Sequence, residues 1–414
     1  MSADRIQGGV SIKKASALFL SVIITLALLL AAGELYALWK YNQPYLSGFM
    51  LSHSDFHHIP PAYFEGTMHS EGDFNIPFRT NNRGMRGPGD YAYKKERGVF
   101  RIVVLGDSFV FGVGVEARET ASSVLEDLLN SGNDKKYEVL NFGVNSYSPL
   151  LEYIYLKEEA IKYRPDAVIL MLDLCDIQDD YFYEPHVTYK AGGEIAGCDP
   201  FKVNGNPDVW AFCKKYSRLF NILDQKLFQS FRKVKAIGFV NYLSNKLKGI
   251  RNKTEILANK DIDNIYFDRF LLVREGKNKD VVSRHWKRTA RYLKMIKGYL
   301  DREKIPLVLV TYPYGHLVGE GQWEKGRIYW GFKQGETYNA QSGFSLINDF
   351  ARENGIELVN ALDPLIQNNH EALYYNNDGH LTKRGQEVVA ATIFNSGPFR
   401  RQKNRRKPIE PIKN

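Results

Sequence analysis

Residues 101–114 read RIVVLGDSFVFGVG. The apolar run 101–105 stops at Gly106, and Asp107 and Ser108 follow at once. Short runs rich in Val, Ile and Leu are typical of strands that are buried on both faces of a parallel sheet. Ligands of such sheets bind beyond the carboxyl ends of the strands, which is where Ser108 falls. The stretch therefore predicts a buried strand that ends in either a nucleophilic serine or a serine that only caps the next helix.

Four further apolar runs follow along the chain, and segments of helical length separate them. This alternation indicates βαβ units, and so a three-layer α/β/α sandwich around a five-stranded parallel sheet, similar to flavodoxin. The predicted strands are 101–105, 138–142, 167–172, 307–311 and 357–359, and the predicted helices are 118–129, 149–163, 284–303, 342–353 and 383–394. Residues 180–282 interrupt the pattern and are predicted to form an insertion or lid, with helical pieces at 210–231 and 240–247.

One segment near the N-terminus is apolar enough to cross a membrane. Residues 15–33 carry no charge over 19 positions, which is about 28 Å of helix and close to the thickness of the hydrocarbon core. Tyr36, Trp39 and Tyr41 follow, where an aromatic belt would lie. A cleaved signal peptide is the alternative, but the run exceeds the usual apolar region of about 7–15 residues. A retained anchor over 15–39 is therefore favoured.

The charges around this segment predict its orientation. Arg5, Lys13 and Lys14 precede it, and only Lys40 follows closely, so residues 1–14 are expected in the cytoplasm and the remainder outside it. For a bacterial chain this means a single-pass protein of the inner membrane with its folded domain in the periplasm. The predicted parts are a linker or loosely structured arm at 40–98, one domain at 99–396 and a basic, disordered tail at 397–414.

The net charge of +9 does not indicate a nucleic-acid partner. Residues 400–413 carry seven basic side chains and one acidic one, so most of the excess charge lies in the tail. No nucleic-acid-binding motif accompanies it. A solvated tail is the simpler interpretation, and contact with anionic lipid or an acidic polymer is the alternative.

Neither the cysteines nor the acidic and histidine clusters predict a cofactor. Cys175, Cys198 and Cys213 include no CxxC pair, so zinc is not expected. Cys198 and Cys213 could form a disulfide in an oxidising compartment. The aspartates at 173–180 are better explained by capping or solvation than by a metal ion. The histidines at 53, 57 and 58 are expected in a solvated loop next to the membrane.

A late segment supplies the groups that would make Ser108 reactive. A serine hydroxyl needs a base to take its proton, and an imidazole base needs a carboxylate to fix its tautomer. His380 can serve as that base and Asp378 as its partner. Gly379 between them allows a tight turn that aims both side chains at one point.

These motifs together resemble the SGNH/GDSL hydrolase superfamily, most closely its membrane-anchored bacterial members. The resemblance rests on GDS after the first strand, Asn-x-Gly after the second, an acidic turn after the third and DGHLT before the last helix. RTNNRGMRG at 79–87 is similar to the usual lead-in of those members. The resemblance covers about 81–393 without the insertion. It implies Ser108 as nucleophile, His380 as base and Asp378 as the orienting acid.

Two positions of the implied oxyanion hole depart from the family pattern. The backbone N–H of Ser108 is expected to contribute. Ser146 occupies the place of a usual glycine, with Gly143 as the alternative, and Cys175 replaces a usual asparagine. A thiol is a weaker donor than a carboxamide. Loss of one such donor lowers a rate by about 10²–10³.

The sequence therefore predicts a membrane-anchored serine esterase, which would act on O-acyl groups of cell-envelope polysaccharide. The alternatives are an O-acetyltransferase for surface polysaccharide and a degenerate SGNH domain that binds without turnover. The expected partners are an ester or acylated carbohydrate, the lipid bilayer and other proteins that modify envelope polysaccharide. We expect no metal and no other cofactor.

Overall fold

The structure is a computed structural model, and it describes eight stretches of the chain and two single residues between them. The predicted helix at 240–247 and the predicted tail at 397–414 lie outside the described residues, and only parts of the predicted helix at 210–231 lie inside them. The described residues are 7–40, 49–207 without 88 and 132–134, 209, 213, 217–223, 279–330, 332–339 and 341–396.

The centre of the fold is a parallel sheet of five strands, as the sequence predicts. Its order is β6-β5-β7-β12-β13, and every neighbouring pair is parallel. The strands are β5 (Phe100–Gly106), β6 (Tyr137–Gly143), β7 (Ala167–Leu172), β12 (Leu307–Thr311) and β13 (Glu357–Asn360), and smaller hairpins are formed by β1 (Leu51–His53) with β2 (His57–Ile59), β3 (Glu65–Ser70) with β4 (Phe74–Arg79), β8 (Val187–Tyr189) with β9 (Ile195–Cys198), and β10 (Lys202–Val203) with β11 (Asn206–Pro207).

Helices cover both faces of the sheet. All residues of β7 and β12 are buried. Because successive side chains of a strand point to opposite faces of the sheet, both faces of these strands are covered. The helices Ala121–Asn130 and Lys383–Asn395 pack against each other, and Pro149–Glu158 packs against Asp176–Tyr183 and Lys279–Arg302. The three-layer prediction is confirmed. The helices are α1 (Gln7–Lys40), α2 (Ser108–Phe111), α3 (Ala121–Asn130), α4 (Pro149–Glu158), α5 (Asp176–Tyr183), α6 (Arg218–Leu223), α7 (Lys279–Arg302), α8 (Gly315–Val318), α9 (Gln341–Glu353), α10 (Leu362–Gln367) and α11 (Lys383–Asn395).

Helix caps follow the local sequence. Thr382 caps α11 by accepting a hydrogen bond from the Gly385 N–H, and Pro149 occupies the first turn of α4, where its missing N–H costs nothing. The helix predicted at 149–163 ends earlier, at Glu158, and continues as a 3₁₀ turn at Ala160–Tyr163. Arg164 then adopts a left-handed conformation that stops it.

The expectation of a loosely structured arm is wrong for residues 49–98. Two hairpins form there, and Met68 and Phe78 of the second one pack with Phe111 in a small apolar cluster. Arg86 is buried beside this cluster and donates to the Val115 carbonyl, Nη2 to O, at 2.7 Å. The sequence signal was misread because Pro, Gly and Asn mark the hairpin turns as well as irregular linkers.

The N-terminal helix α1 includes a segment, Lys14–Ala37, that is long and apolar enough to span a membrane. Its large apolar side chains are exposed in the structure. This agrees with the predicted span in length and composition.

The described part of the insertion consists mainly of short hairpins. The 3₁₀ turn Glu184–His186 leads from α5 into the β8–β9 hairpin. Cys198 and Cys213 are not joined to each other, so the disulfide considered between them is not formed in the structure.

Candidate active site

Ser108 lies at the carboxyl end of β5, as the sequence predicts. Asp107 braces this turn, since its Oδ1 accepts a hydrogen bond from the Phe109 N–H at 2.8 Å and from the Tyr312 hydroxyl at 3.1 Å. Ser108 begins the short helix α2 and is half-buried. Asp107 thus fixes the backbone of the turn, and Ser108 lines a cavity.

Ser108, His380 and Asp378 form one hydrogen-bonded chain. Ser108 Oγ lies 2.7 Å from His380 Nε2, and Nδ1 of the same imidazole bonds to Asp378 Oδ1. A carboxylate can only accept, so Nδ1 carries a proton and Nε2 of the neutral ring is free to accept the serine proton. The arrangement has the connectivity that activates a serine nucleophile.

The turn between Asp378 and His380 needs a glycine. Gly379 has φ +91°, and a Cβ there would lie 2.6 Å from the Trp323 ring. A left-handed conformation and this close approach both exclude larger residues. The turn therefore aims Asp378 and His380 together, as the sequence suggests.

Asp73 fixes the same loop from the turn between β3 and β4. Its carboxylate accepts three successive backbone N–H groups, from Asn376 at 3.1 Å, Asn377 at 2.8 Å and Asp378 at 2.7 Å. No spacing pattern in the sequence indicates this contact, because Asp73 lies about 300 positions away from the loop. It is a site residue that the sequence analysis missed.

The hydrogen-bonded chain opens into a cavity of about 230 Å³. Ser146 and Cys175 line it together with the three residues of the chain, and so do Trp323, Trp330 and Tyr314. Trp330 is 37% exposed, so an aromatic face stands at the side of the opening. Aromatic side chains at this position were not predicted, because their sequence neighbours gave no sign of a site.

The structure distinguishes the two candidate oxyanion donors, Gly143 at the end of β6 and Ser146 in the loop after it. Gly143 does not line the cavity, and its N–H already donates to Asn141 Oδ1 at 2.9 Å. A Cβ at Gly143 would lie 2.2 Å from the Phe111 backbone N, so this glycine serves close packing. Ser146 is exposed to the cavity with φ +62°, a left-handed conformation that glycine adopts more easily. The structure thus explains why a glycine would suit this place, and it leaves Gly143 unsuitable as the donor.

Buried carboxyl groups lie beneath the cavity. Oxygen atoms of Asp107, Asp173 and Asp176 come within 4.8 Å of one another. Asp173 accepts backbone hydrogen bonds from Cys175 and Asp176, and Asp176 Oδ2 accepts the Asp173 N–H at 3.0 Å. These are the bonds of turn and cap residues, while the four aspartates at 173–180 are buried and not solvated.

The surroundings change the proton affinity of these acids. Burial and the charge of Asp173 raise the pKa of Asp107 well above its usual value, and burial followed by the same charge does so for Asp176. Burial also raises the pKa of Asp378, but the hydrogen bond and charge of His380 outweigh it and leave that pKa below the usual value. Asp378 is therefore the carboxylate that stays ionised beside the imidazole.

The histidines of the first hairpin correct another expectation. His57 and His58 lie in β2 and are half-buried, which contradicts the solvated loop. His58 Nε2 lies 2.7 Å from the Asn145 carbonyl oxygen, and Asn145 lines the cavity. The pair was misread because its long-range partner is not visible in the sequence.

Comparisons with solved structures return matches that cover most of the chain. An acetyl xylan esterase is similar over 71% of this chain and 98% of its own, with 13% identity and a TM-score of 0.36. An acetylxylan esterase from Geobacillus stearothermophilus is similar over 71% and 92%, with 11% identity and a TM-score of 0.35. A gut microbial diltiazem-metabolizing enzyme is similar over 73% and 47%, with 10% identity and a TM-score of 0.37.

Comparisons of the sequence alone return nothing: no family model matches the chain, and no curated protein matches it.

Proposed function

We propose that the chain is a serine ester hydrolase with Ser108 as nucleophile. The observation that carries the proposal is the bond between Ser108 Oγ and His380 Nε2 at 2.7 Å, with Asp378 on the other imidazole nitrogen. Side chains from the two ends of the folded domain meet in this geometry, beside a cavity. A serine that only caps a helix needs neither an imidazole nor a carboxylate.

The proposed reaction has two steps, acylation of Ser108 and hydrolysis of the acyl-serine. His380 takes the proton of Ser108 as Oγ attacks the ester carbonyl carbon, and the same proton goes to the leaving alcohol when the C–O bond breaks. Water then attacks the acyl-serine, gives a proton to His380, and Ser108 regains it as the carboxylic acid leaves. Asp378 holds the imidazole and stabilises its positive charge throughout.

Backbone N–H groups are expected to stabilise the negative charge that develops on the carbonyl oxygen of the ester. Ser108 is the first residue of α2, and first-turn N–H groups of a helix have no partner within the helix. Ser146 offers its N–H from the opposite loop. Cys175 lines the cavity where the resemblance implies an amide, so its contribution is weak. The proposed enzyme is therefore expected to be slower than one with a third strong donor.

The proposed substrate is an O-acyl group on a carbohydrate of the cell envelope. Trp330 supports this proposal, because it lines the cavity, is 37% exposed, and flat apolar rings suit the faces of sugar rings. The apolar Lys14–Ala37 segment supports a bilayer anchor next to the folded domain. Periplasmic alkaline phosphatase fused after Trp39 should be active, and an inactive fusion would contradict this orientation.

A comparison of Ser108→Ala with the unaltered full chain in detergent micelles tests the proposal. Hydrolysis of an aryl acetate should fall by at least ~10⁴-fold, because the residual rate of such sites without their nucleophile comes from binding and backbone donors alone. Ser131→Ala, an exposed serine at the end of α3, is the matched control and should keep the full rate. Equal rates for Ser108→Ala and the unaltered chain would overturn the proposal.

A further inference from the structure

The loop between β6 and α4 makes a tight turn at Val144–Tyr147. The Tyr147 N–H donates to the Val144 carbonyl at 3.0 Å. Asn145 has a negative φ and Ser146 a φ of +62°, which is the type II pattern with the positive φ at its third residue. Type I and type II turns differ by a rotation of the peptide unit between their two central residues.

That peptide unit here consists of the Asn145 carbonyl and the Ser146 N–H. In a trans peptide these two groups point in opposite directions. His58 Nε2 lies 2.7 Å from the Asn145 oxygen, and His58 does not line the cavity. The carbonyl is therefore directed away from the cavity, and the Ser146 N–H is directed toward the cavity side.

The protonation of the histidine pair suits this contact. A carbonyl oxygen only accepts, so His58 Nε2 must carry the proton and His58 Nδ1 must be unprotonated. His57 Nδ1 lies 2.8 Å from His58 Nδ1 and donates to it. Burial lowers the pKa of both imidazoles, which keeps both neutral and the direction of the two bonds fixed.

A second contact holds the next peptide. The Tyr183 hydroxyl donates to the Ser146 carbonyl at 2.7 Å, and the Tyr183 ring packs edge-on against His57 with centroids 4.9 Å apart. The Tyr147 hydroxyl in turn donates to the His58 carbonyl at 2.7 Å. The hairpin and the turn are thus joined in both directions.

We infer that His58 is a positioning residue that holds the Asn145–Ser146 peptide with its N–H toward the oxyanion of the reaction. The inference rests on the proposed ester hydrolysis. A serine loses stability at a positive φ, so without His58 the peptide rotates, φ of Ser146 becomes negative and the N–H leaves the site. A glycine at 146 would need no such hold. The hydrogen bond from His58 thus compensates for a serine at this turn.

Kinetics of four variants in the full chain test this. His58→Phe and His58→Leu, which keep bulk without a donor, should each lower kcat by ~10²-fold with KM within ~3-fold, the loss of one oxyanion donor. His58→Gln should restore kcat to within ~5-fold of the unaltered chain, since its amide can donate to the same carbonyl. Adding Ser146→Gly to His58→Phe should raise kcat by at least ~10-fold, because glycine accepts the positive φ.

The control is His53→Ala in the same hairpin, whose Nδ1 accepts the local N–H groups of residues 55 and 56. It should leave kcat unchanged. An active unaltered chain whose His58→Phe and His58→Leu variants match His53→Ala overturns this inference alone. If neither His58→Gln nor Ser146→Gly added to His58→Phe restores kcat, His58 acts through packing, and the inference is overturned as well. An unaltered chain without esterase activity overturns the proposed function and this inference with it.

Discussion

The two sides of the cavity are held in different ways. On one side, Asp378 and His380 lie two residues apart in a glycine turn. Asp107, next to Ser108, holds the backbone there by accepting the Phe109 N–H. On the other side, the Asn145–Ser146 turn is held by a histidine 87 positions earlier and a tyrosine 37 positions later. We call the first the nucleophile side and the second the oxyanion side.

The two sides differ because the nucleophile and the oxyanion donor need different kinds of structural support. Aiming the nucleophile and base requires short-range geometry that a few adjacent residues can supply. Directing a single N–H requires control of one peptide unit, which has two orientations, one of them with a positive φ that a serine does not favour. That choice depends on what packs against the turn. Changes on the nucleophile side should therefore abolish the chemistry, while changes on the oxyanion side should tune its rate.

After that of Ser108→Ala, the largest effect on kcat is expected from Asp378→Asn, on the nucleophile side. An amide can donate as well as accept, so the imidazole can also adopt the tautomer in which Nε2 carries the proton and cannot accept that of Ser108, and kcat should fall by about 10³–10⁴-fold. Steady-state hydrolysis of an aryl acetate measures this. The exposed Asp363→Asn at the start of α10 serves as control. A loss below ~10-fold would mean that Asp378 does not orient His380.

On the oxyanion side, Asp180 should make stability depend on pH. Its Oδ1 accepts the Leu150 N–H and the Ser148 hydroxyl, each at 2.8 Å, which ties α4 to α5. Burial raises its pKa to about 6, against the opposing hydrogen bonds of Thr289, Leu150 and Ser148. The folded state then binds this proton more tightly than the unfolded state, so the contribution of Asp180 to stability is greatest below pH ~4 and is lost as the pH rises through ~6.

The contribution of Asp180 to that fall is about 3 kcal/mol. Thermal unfolding of the full chain and of Asp180→Asn at pH 4 and pH 7 measures it. The difference between the two pH values should be smaller in the variant by about that amount. Since Asp107, Asp176 and Glu152 are buried in both proteins, some dependence will remain. An identical dependence in the two proteins would contradict the assignment.

Asp73→Asn tests the long-range support of the nucleophile side. Three backbone N–H groups would lose a charged acceptor, each such bond being worth about 1.5–3 kcal/mol. We expect kcat to fall by ~10-fold and the melting temperature to drop, since the DGH turn loosens. Glu71→Gln, an exposed residue in the same hairpin turn, should change neither. A full rate in Asp73→Asn would show that the turn holds itself.

The final prediction is a gain in rate, from Cys175→Asn on the oxyanion side. A carboxamide adds a stronger donor to the cavity than the thiol, and kcat should rise by ~10-fold, a fraction of what a well-placed donor supplies. Cys175→Ala adds no donor and should not raise the rate. If Cys175→Asn is no faster than Cys175→Ala, the oxyanion lies elsewhere in the cavity.

The sequence predicted the parts of the fold and site that depend on local pattern. All five sheet strands were found within one residue at each end, because buried parallel strands read as continuous apolar runs. Ser108, Asp378 and His380 converge as predicted. Their catalytic roles remain a prediction.

The contacts that the sequence did not reveal are those between distant segments. Asp73 and His58 lie in a region rich in Pro, Gly and Asn, and their partners are backbone groups, which leave no mark on the sequence. The positive φ of Ser146 was also hidden, since only glycine would have signalled it. Composition described that region as a linker, while packing against Phe111 and the active-site loops made it ordered.

The most direct test of the account is the site of covalent modification by a fluorophosphonate probe. After the full chain is treated, peptide mass spectrometry should find the adduct on Ser108. The adduct should be absent from Ser108→Ala and form far more slowly in His380→Ala. An unmodified Ser108, or an adduct on another residue, would contradict the claim that Ser108 and His380 form a working nucleophile.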